Sequence, residues 1–118
     1  MLEWLIGKRR TNTTTEQKVP VHITPSEVLE LLAQGEKIVI LDVRMQHEYR
    51  QGHIKGAQLI PLSELPKRTH ELRNNATIVT VCHTGRRSAQ AARLLRAQGF
   101  VARNMVGGMT KWTGRVVK

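Results

Sequence analysis

The sequence predicts an α/β domain built on a largely parallel sheet, and three observations carry that reading. Ile38-Val39-Ile40-Leu41 is a continuous apolar run, and Thr77-Ile78-Val79-Thr80-Val81 is β-branched throughout, as expected of central strands covered on both faces. Each run leads into a polar turn and then a helical pattern, not into a tight hairpin. The chain has 118 residues, room for one domain with a modest core. Only Trp4, Tyr49, Phe100 and Trp112 are aromatic, so that core is aliphatic.

The elements follow in order. Residues 11–18 are polar and uncapped, and with the preceding segment they suggest a flexible arm over 1–20 before a single domain over 21–118. Val21-His22-Ile23 is a short strand candidate. Thr24-Pro25-Ser26-Glu27 combines an N-cap, a proline at the first helical position and a glutamate at N3, the signature of a capping box. The helix it opens is expected to bury Val28, Leu31 and Leu32 and to stop at Gly35. After Ile38–Leu41 come polar groups at Asp42 and Arg44, a short helix over 46–51 ended by Gly52, and a strand from Ala57 to Ile60 closed by Pro61. Ser63 to Leu72 suggests a helical region interrupted at Pro66. The Thr77–Val81 strand precedes a helix predicted from Ser88 to Gln98, with Ala89, Ala92, Leu94 and Leu95 facing inward. Phe100 to Met105 is a last strand, its pattern blurred by Arg103 and Asn104, and a short helix follows around Met109 to Trp112.

Composition removes several function classes. A single cysteine excludes an internal disulfide and a four-cysteine zinc site, and with five scattered histidines it predicts no metal centre. It fits a reducing, cytoplasmic setting. The apolar residues of the first six precede Lys8-Arg9-Arg10 and are too few to span a bilayer, so they read as a loose arm in preference to a small membrane-surface anchor. The formal net charge is +10, and all nine carboxylates lie at or before Glu71. From Leu72 onward nine basic residues stand without a carboxylate, a field that concentrates small anions. No recognition helix or stacking aromatic accompanies it, so specific nucleic-acid binding is not expected.

The only thiol, Cys82, ends the Thr77–Val81 strand and begins Cys82-His83-Thr84-Gly85-Arg86-Arg87-Ser88. Ligands of parallel sheets sit outside the C-terminal strand ends. The helix that follows directs free amides and its positive dipole end at this loop, Gly85 lets the loop curl, and Arg86 and Arg87 add cationic donors; all of these favour a thiolate. The alternative, an inert core cysteine beside surface arginines, does not account for the coincidence of glycine, arginine pair, Ser88 and carboxylate-free half.

Leu41-Asp42-Val43-Arg44 with Glu48-Tyr49, Gly52-His53-Ile54-Lys55-Gly56-Ala57, Ile60-Pro61, Val81-Cys82, Gly85-Arg86-Arg87-Ser88, Gly99-Phe100, Asn104, Gly107-Gly108-Met109 and Trp112 together resemble a single-domain rhodanese. The resemblance spans residues 41–112 and implies a three-layer fold with a mostly parallel five-stranded sheet. It implies Cys82 as nucleophile, His83 to Arg87 as the loop around a persulfide, and Asp42, Arg44, Glu48 and Ser88 as support. Arg44 and Glu48, four apart, are expected to pair, and Asp42 to accept backbone amides. His53 reads as structural. The implied activity is thiosulfate sulfurtransfer by a monomer without a cofactor: Cys82 takes the outer sulfur of thiosulfate, and cyanide, glutathione, thioredoxin or a protein thiol removes it. Two rivals stand beside it. One is a non-catalytic sulfur carrier or binding module using the same loop. The other is a phosphatase or arsenate reductase, which the loop disfavours: four residues separate Cys82 from Arg87, one fewer than those enzymes use, and no acid lies in this half to protonate a leaving group.

Overall fold

The computed structural model describes residues 19–118, so the expected arm over 1–20, and the choice between arm and anchor, fall almost wholly outside it. Strands β1 (His22–Ile23), β2 (Ile38–Asp42), β3 (His53–Ile54), β4 (Gln58–Leu59), β5 (Thr77–Val81), β6 (Ala102–Met105) and β7 (Val116–Val117) alternate with helices and turns. Five of them form one sheet in the order β1-β6-β5-β2-β4, with every neighbouring pair parallel. The expected parallel five-stranded sheet is therefore present. The remaining two, β3 and β7, make a separate antiparallel ribbon that joins the middle of the chain to its end.

The two strongest apolar runs lie side by side at the sheet's centre, Ile38 beside Thr77 through Asp42 beside Val81. Their side chains alternate between two apolar layers. Leu41, Ile78 and Cys82 face Ala91, Ala92 and Leu95, whereas Ile40, Val79 and Val81 face Ile23, Val28, Ile54 and Met105. Coverage on both faces explains why β2 and β5 read as continuous apolar runs instead of alternating ones.

Helix α1 (Pro25–Ala33) begins on the predicted capping box: the Glu27 amide donates to Thr24 Oγ1 at 3.1 Å, and the Thr24 amide donates to Glu27 Oε1 at 2.9 Å. It closes with Gly35 N–H on the Leu32 carbonyl and Glu36 N–H on that of Leu31, both 3.1 Å, a Schellman ending. Leu32, expected inside, is 42% exposed, because Val28 and Leu31 already fill the stripe that meets the sheet.

Helix α2 (Gln46–Arg50) is the predicted short helix. Pro66 does not interrupt helix α3 (Leu65–Arg68); it sits in the first turn, where a missing N–H removes no helical bond. Helix α4 (Arg86–Ala97) starts earlier than the predicted Ser88, with Gly85 as its N-cap. Its buried face is Ser88, Ala91, Ala92 and Leu95, while Ala89 and Leu94 are only half-buried. A short 3-10 segment, Gly108–Lys111, replaces the expected terminal helix and packs back toward the end of β5. Among the described residues, no helix is long and apolar enough to cross a membrane.

Candidate active site

Cys82 leaves β5 at the C-terminal edge of the sheet and is 1% exposed. Its Sγ accepts the Gly85 amide at 3.0 Å and the Ser88 amide at 3.3 Å, and lies 3.2 Å from Ser88 Oγ. The origin of this arrangement is a helix end. Gly85, at φ 104°, has no side chain with which to cap α4, and Ser88 is the third residue of the helix. The sulfur takes the place of a capping oxygen on that orphan N–H. A negative charge on sulfur is thus stabilised by the same groups that α4 needs satisfied, and the helix dipole adds to it.

Burial pushes the Cys82 thiol up, but the Ser88 hydroxyl and the amides of Ser88, Gly85 and Thr84 outweigh it and hold the thiol below its ordinary value. The Ser88 hydroxyl has a competing partner, since it also donates to Asn104 Oδ1 at 2.5 Å.

The loop is clamped from behind. The Met109 amide donates to the Cys82 carbonyl at 2.8 Å and the Thr110 amide to that of His83 at 3.1 Å. This approach requires Gly108, which sits at φ 56° and whose Cβ, if present, would lie 2.3 Å from the Cys82 carbonyl oxygen. Gly107-Gly108 thus brings backbone against the loop.

The turn after β2 lies alongside, tied by the Val43 amide to the Val81 carbonyl at 2.9 Å. Asp42 accepts the Arg44 amide at 3.0 Å, as expected of its carboxylate. Arg44, however, does not pair with Glu48. Its guanidinium folds back on Asp42, with Nε at 2.9 Å from Oδ1 and Nη2 at 2.7 Å from Oδ2, and reaches the Gly52 carbonyl at 2.8 Å. Arg44 precedes the N-cap Met45, so the helical spacing rule does not place it beside Glu48. Glu48 instead holds Arg87 in a two-pronged pair at 2.8 and 2.9 Å. The Arg87 hydrogen bonds hold the Glu48 carboxyl down to about 2, and the same contacts raise Arg87.

The predicted site residues thus fall into three groups. Cys82, Gly85 and Ser88 meet at the sulfur, with Thr84 contributing its amide. Asp42, Arg44, Glu48 and Arg87 form a frame of ion pairs beside it. His83 and Arg86 are exposed on the loop and the first turn of α4. His53 stacks on Tyr49 with ring centres 3.6 Å apart, and its Nδ1 meets the Tyr49 carbonyl at 2.8 Å, a structural contact. Sequence reasoning gave Asn104 no role, although a polar residue inside an apolar strand was the signal. It is 3% exposed and touches the hydroxyl that touches the sulfur.

A family model, "Rhodanese-like domain", matches residues 24–115. "Putative sulfur carrier protein YrkF" of Bacillus subtilis is 49% identical over 68% of this chain and 44% of its own length. The chain thus spans under half of that relative. "Thiosulfate sulfurtransferase GlpE" of Pseudoalteromonas translucida is 36% identical over 77% of this chain and 87% of its own. A crystal structure of a rhodanese-like domain protein from Staphylococcus aureus superposes with a TM-score of 0.74 at 34% identity, over 80% of this chain and 92% of that one. The chain belongs to the rhodanese-like family, whose fold it has, and its relatives include proteins named as sulfur carriers and sulfurtransferases.

Proposed function

We propose that this rhodanese-like domain moves sulfane sulfur from thiosulfate, or a related anionic donor, to a thiophilic acceptor through a persulfide on Cys82. The observation that carries the proposal is the sulfur used as the cap of α4. A thiolate there is held by two amides and a dipole without any neighbouring base. In the first step the thiolate attacks the outer sulfur of thiosulfate. The new bond is Sγ–S, the S–S bond of thiosulfate breaks, and sulfite leaves with the electron pair. In the second, cyanide or a thiolate attacks the outer sulfur of the persulfide, and Cys82 regains its thiolate. Both leaving groups depart as stable anions, so the absence of an acid after Glu71 costs nothing.

The amides of Arg86 and Arg87 are the first two of α4, which no helical carbonyl can reach, and they supply donors for the outer sulfur. Arg86 is exposed at the rim and provides the charge that draws an anionic donor, whereas Arg87 is neutralised by Glu48. The acceptors proposed are cyanide, glutathione, thioredoxin or a partner thiol, in the cytoplasm.

Initial rates measured against thiosulfate at several cyanide concentrations test this scheme. Parallel double-reciprocal lines are expected of two displacements that share a covalent intermediate. Intersecting lines would contradict it. Slow turnover with thiosulfate beside rapid sulfur uptake from a protein persulfide would favour the carrier role that the first relative's name carries.

A further inference from the structure

A buried polar chain runs from the reactive sulfur to the surface. Cys82 Sγ lies 3.2 Å from Ser88 Oγ, which donates to Asn104 Oδ1 at 2.5 Å, and Asn104 Nδ2 lies 3.3 Å from His22 Nδ1. Cys82, Ser88 and Asn104 are buried, and His22 is exposed. Sheet register makes the chain possible, since His22, Asn104 and Thr80 are aligned across β1, β6 and β5. Thr80 then fixes Ser88 by donating to its carbonyl at 2.8 Å.

Proton counting shows that this chain has a direction. The Ser88 hydroxyl owns one proton, and in the observed arrangement Asn104 Oδ1 takes it. The 3.2 Å contact to sulfur is then satisfied only if the thiol donates its own S–H to Ser88 Oγ. A thiolate has no proton to donate and needs one. Ser88 meets that need only by swinging its hydroxyl to Sγ, which leaves its oxygen facing the Asn104 carbonyl oxygen with no proton between them. In the buried setting that repulsion is relieved by turning the Asn104 amide over, so that Nδ2–H donates to Ser88 Oγ. Asn104 Oδ1 then faces His22, whose ring must carry its proton on Nδ1.

We propose that Asn104 is a positioning residue for the sulfur chemistry, its side-chain amide reversing with the charge on Cys82 and so setting where the Ser88 proton points, with His22 as its outer partner. In the thiol setting the bonds run from sulfur to His22; in the thiolate setting they run from His22 to sulfur. One proton is lost in passing between them, that of the thiol, which goes to solvent. His22, Asn104 and Ser88 keep their proton counts, and exposed His22 exchanges Nε2–H for Nδ1–H through water. The first displacement needs the second setting, so the inference rests on the sulfurtransferase reading for its use but not for its test.

The charged and titratable groups on the elements around Cys82 are Arg87 with its partner Glu48, Arg86 at the start of α4, Asp42 with Arg44 at the end of β2, His83 in the loop and Lys111 on the 3-10 segment. Beside His22 stands Arg103 of β6, whose Nη2 donates to the His22 carbonyl at 3.1 Å. None of these hydrogen-bonds to the Asn104 side chain, and their fields are common to the wild-type protein and Ser88→Ala, so comparing the two isolates the Ser88 hydroxyl.

The test is a nuclear magnetic resonance pH titration of the Asn104 side-chain amide beside ultraviolet thiolate absorbance, which in a chain with one cysteine reports Cys82 alone. In the wild-type protein the Asn104 amide signals are expected to move with the same midpoint as the thiolate. In Ser88→Ala they are expected to lose that movement. Amide signals that ignore the thiolate midpoint, or follow it equally in Ser88→Ala, would overturn the proposal. Asn104→Asp, whose carboxylate only accepts and so holds the Ser88 proton, is expected to slow alkylation of Cys82 below its midpoint by about tenfold; an unchanged profile would also count against it. Neither readout uses sulfane sulfur, so a failure of sulfur transfer leaves this inference standing, and its failure leaves sulfur transfer standing.

Discussion

Two turns leave the sheet side by side, Val43–Met45 after β2 and Cys82–Gly85 after β5, and they treat charge in opposite ways. The first closes on itself: a buried carboxylate meets a buried guanidinium three ways, and Nη2 of that guanidinium also donates to the Gly52 carbonyl. The second gathers backbone and hydroxyl donors on a sulfur and puts no guanidinium in hydrogen-bond contact with it, because Arg87 is paired with Glu48. In the proposed sulfur transfer, the difference shows how the donors of one loop are left for a substrate. Rigidity comes from the neighbouring turn, through the Val43–Val81 bond and the Glu48–Arg87 pair, so the donors around Cys82 need not be satisfied by fixed acids.

That contrast breaks most severely at Asp42. Asp42→Asn leaves Arg44, itself 5% exposed, as a buried charge without its counter-ion, and the unfolding free energy is expected to fall by about 3 to 5 kcal/mol in denaturant melts. A loss under about 1 kcal/mol would show that the first turn is not held by its own charges.

A smaller effect is expected at the link between the turns. Glu48 titrates at about 2 in the folded chain against an ordinary 4.5, a lowered value, so its stabilisation is present above 4.5 and is lost as pH falls toward 2. Relative to Glu48→Gln, the wild-type chain is expected to gain roughly 1 to 2 kcal/mol across that window, a figure discounted for the part-exposed Arg87, and to stay level above it. A stability difference that did not change between pH 2 and 5 would contradict the ion-pair origin of the link.

The smallest effect on folding belongs to Arg86. Arg86→Ala is expected to change stability by less than about 0.5 kcal/mol. It is nevertheless expected to weaken donor capture, more at low salt than at high salt, because screening already dulls the field in the latter. Arg87→Ala is expected to affect capture less than Arg86→Ala, since Glu48 already cancels that charge; the reverse order would reassign the anion-binding role.

Much of this was legible in the chain because the signals were local. A β-branched run, a glycine and a helical pattern placed Cys82 at a strand end, and Thr24, Pro25 and Glu27 placed α1 with its cap. What escaped was pairing over distance. Glu48 and Arg87 are 39 residues apart, and no spacing rule connects them, whereas the nearer Arg44 sits outside the helix that would have given its spacing meaning. The two-residue strands β3 and β7 are too short to show any periodicity. The start of α4 was missed because glycine, not a hydroxyl or amide side chain, occupies the N-cap and the sulfur does the capping. Asn104 was visible only as a disturbance in a strand pattern, because its partner Ser88 lies on a helix across the sheet face.

The most direct measurement is the intact mass of the protein after treatment with thiosulfate. The chain is expected to gain the mass of one sulfur, to lose it on addition of cyanide, and to gain none as Cys82→Ser. An unchanged mass with thiosulfate and with every persulfide donor tried, in a protein whose Cys82 still alkylates, would contradict the claim that the donors around this sulfur serve sulfur transfer.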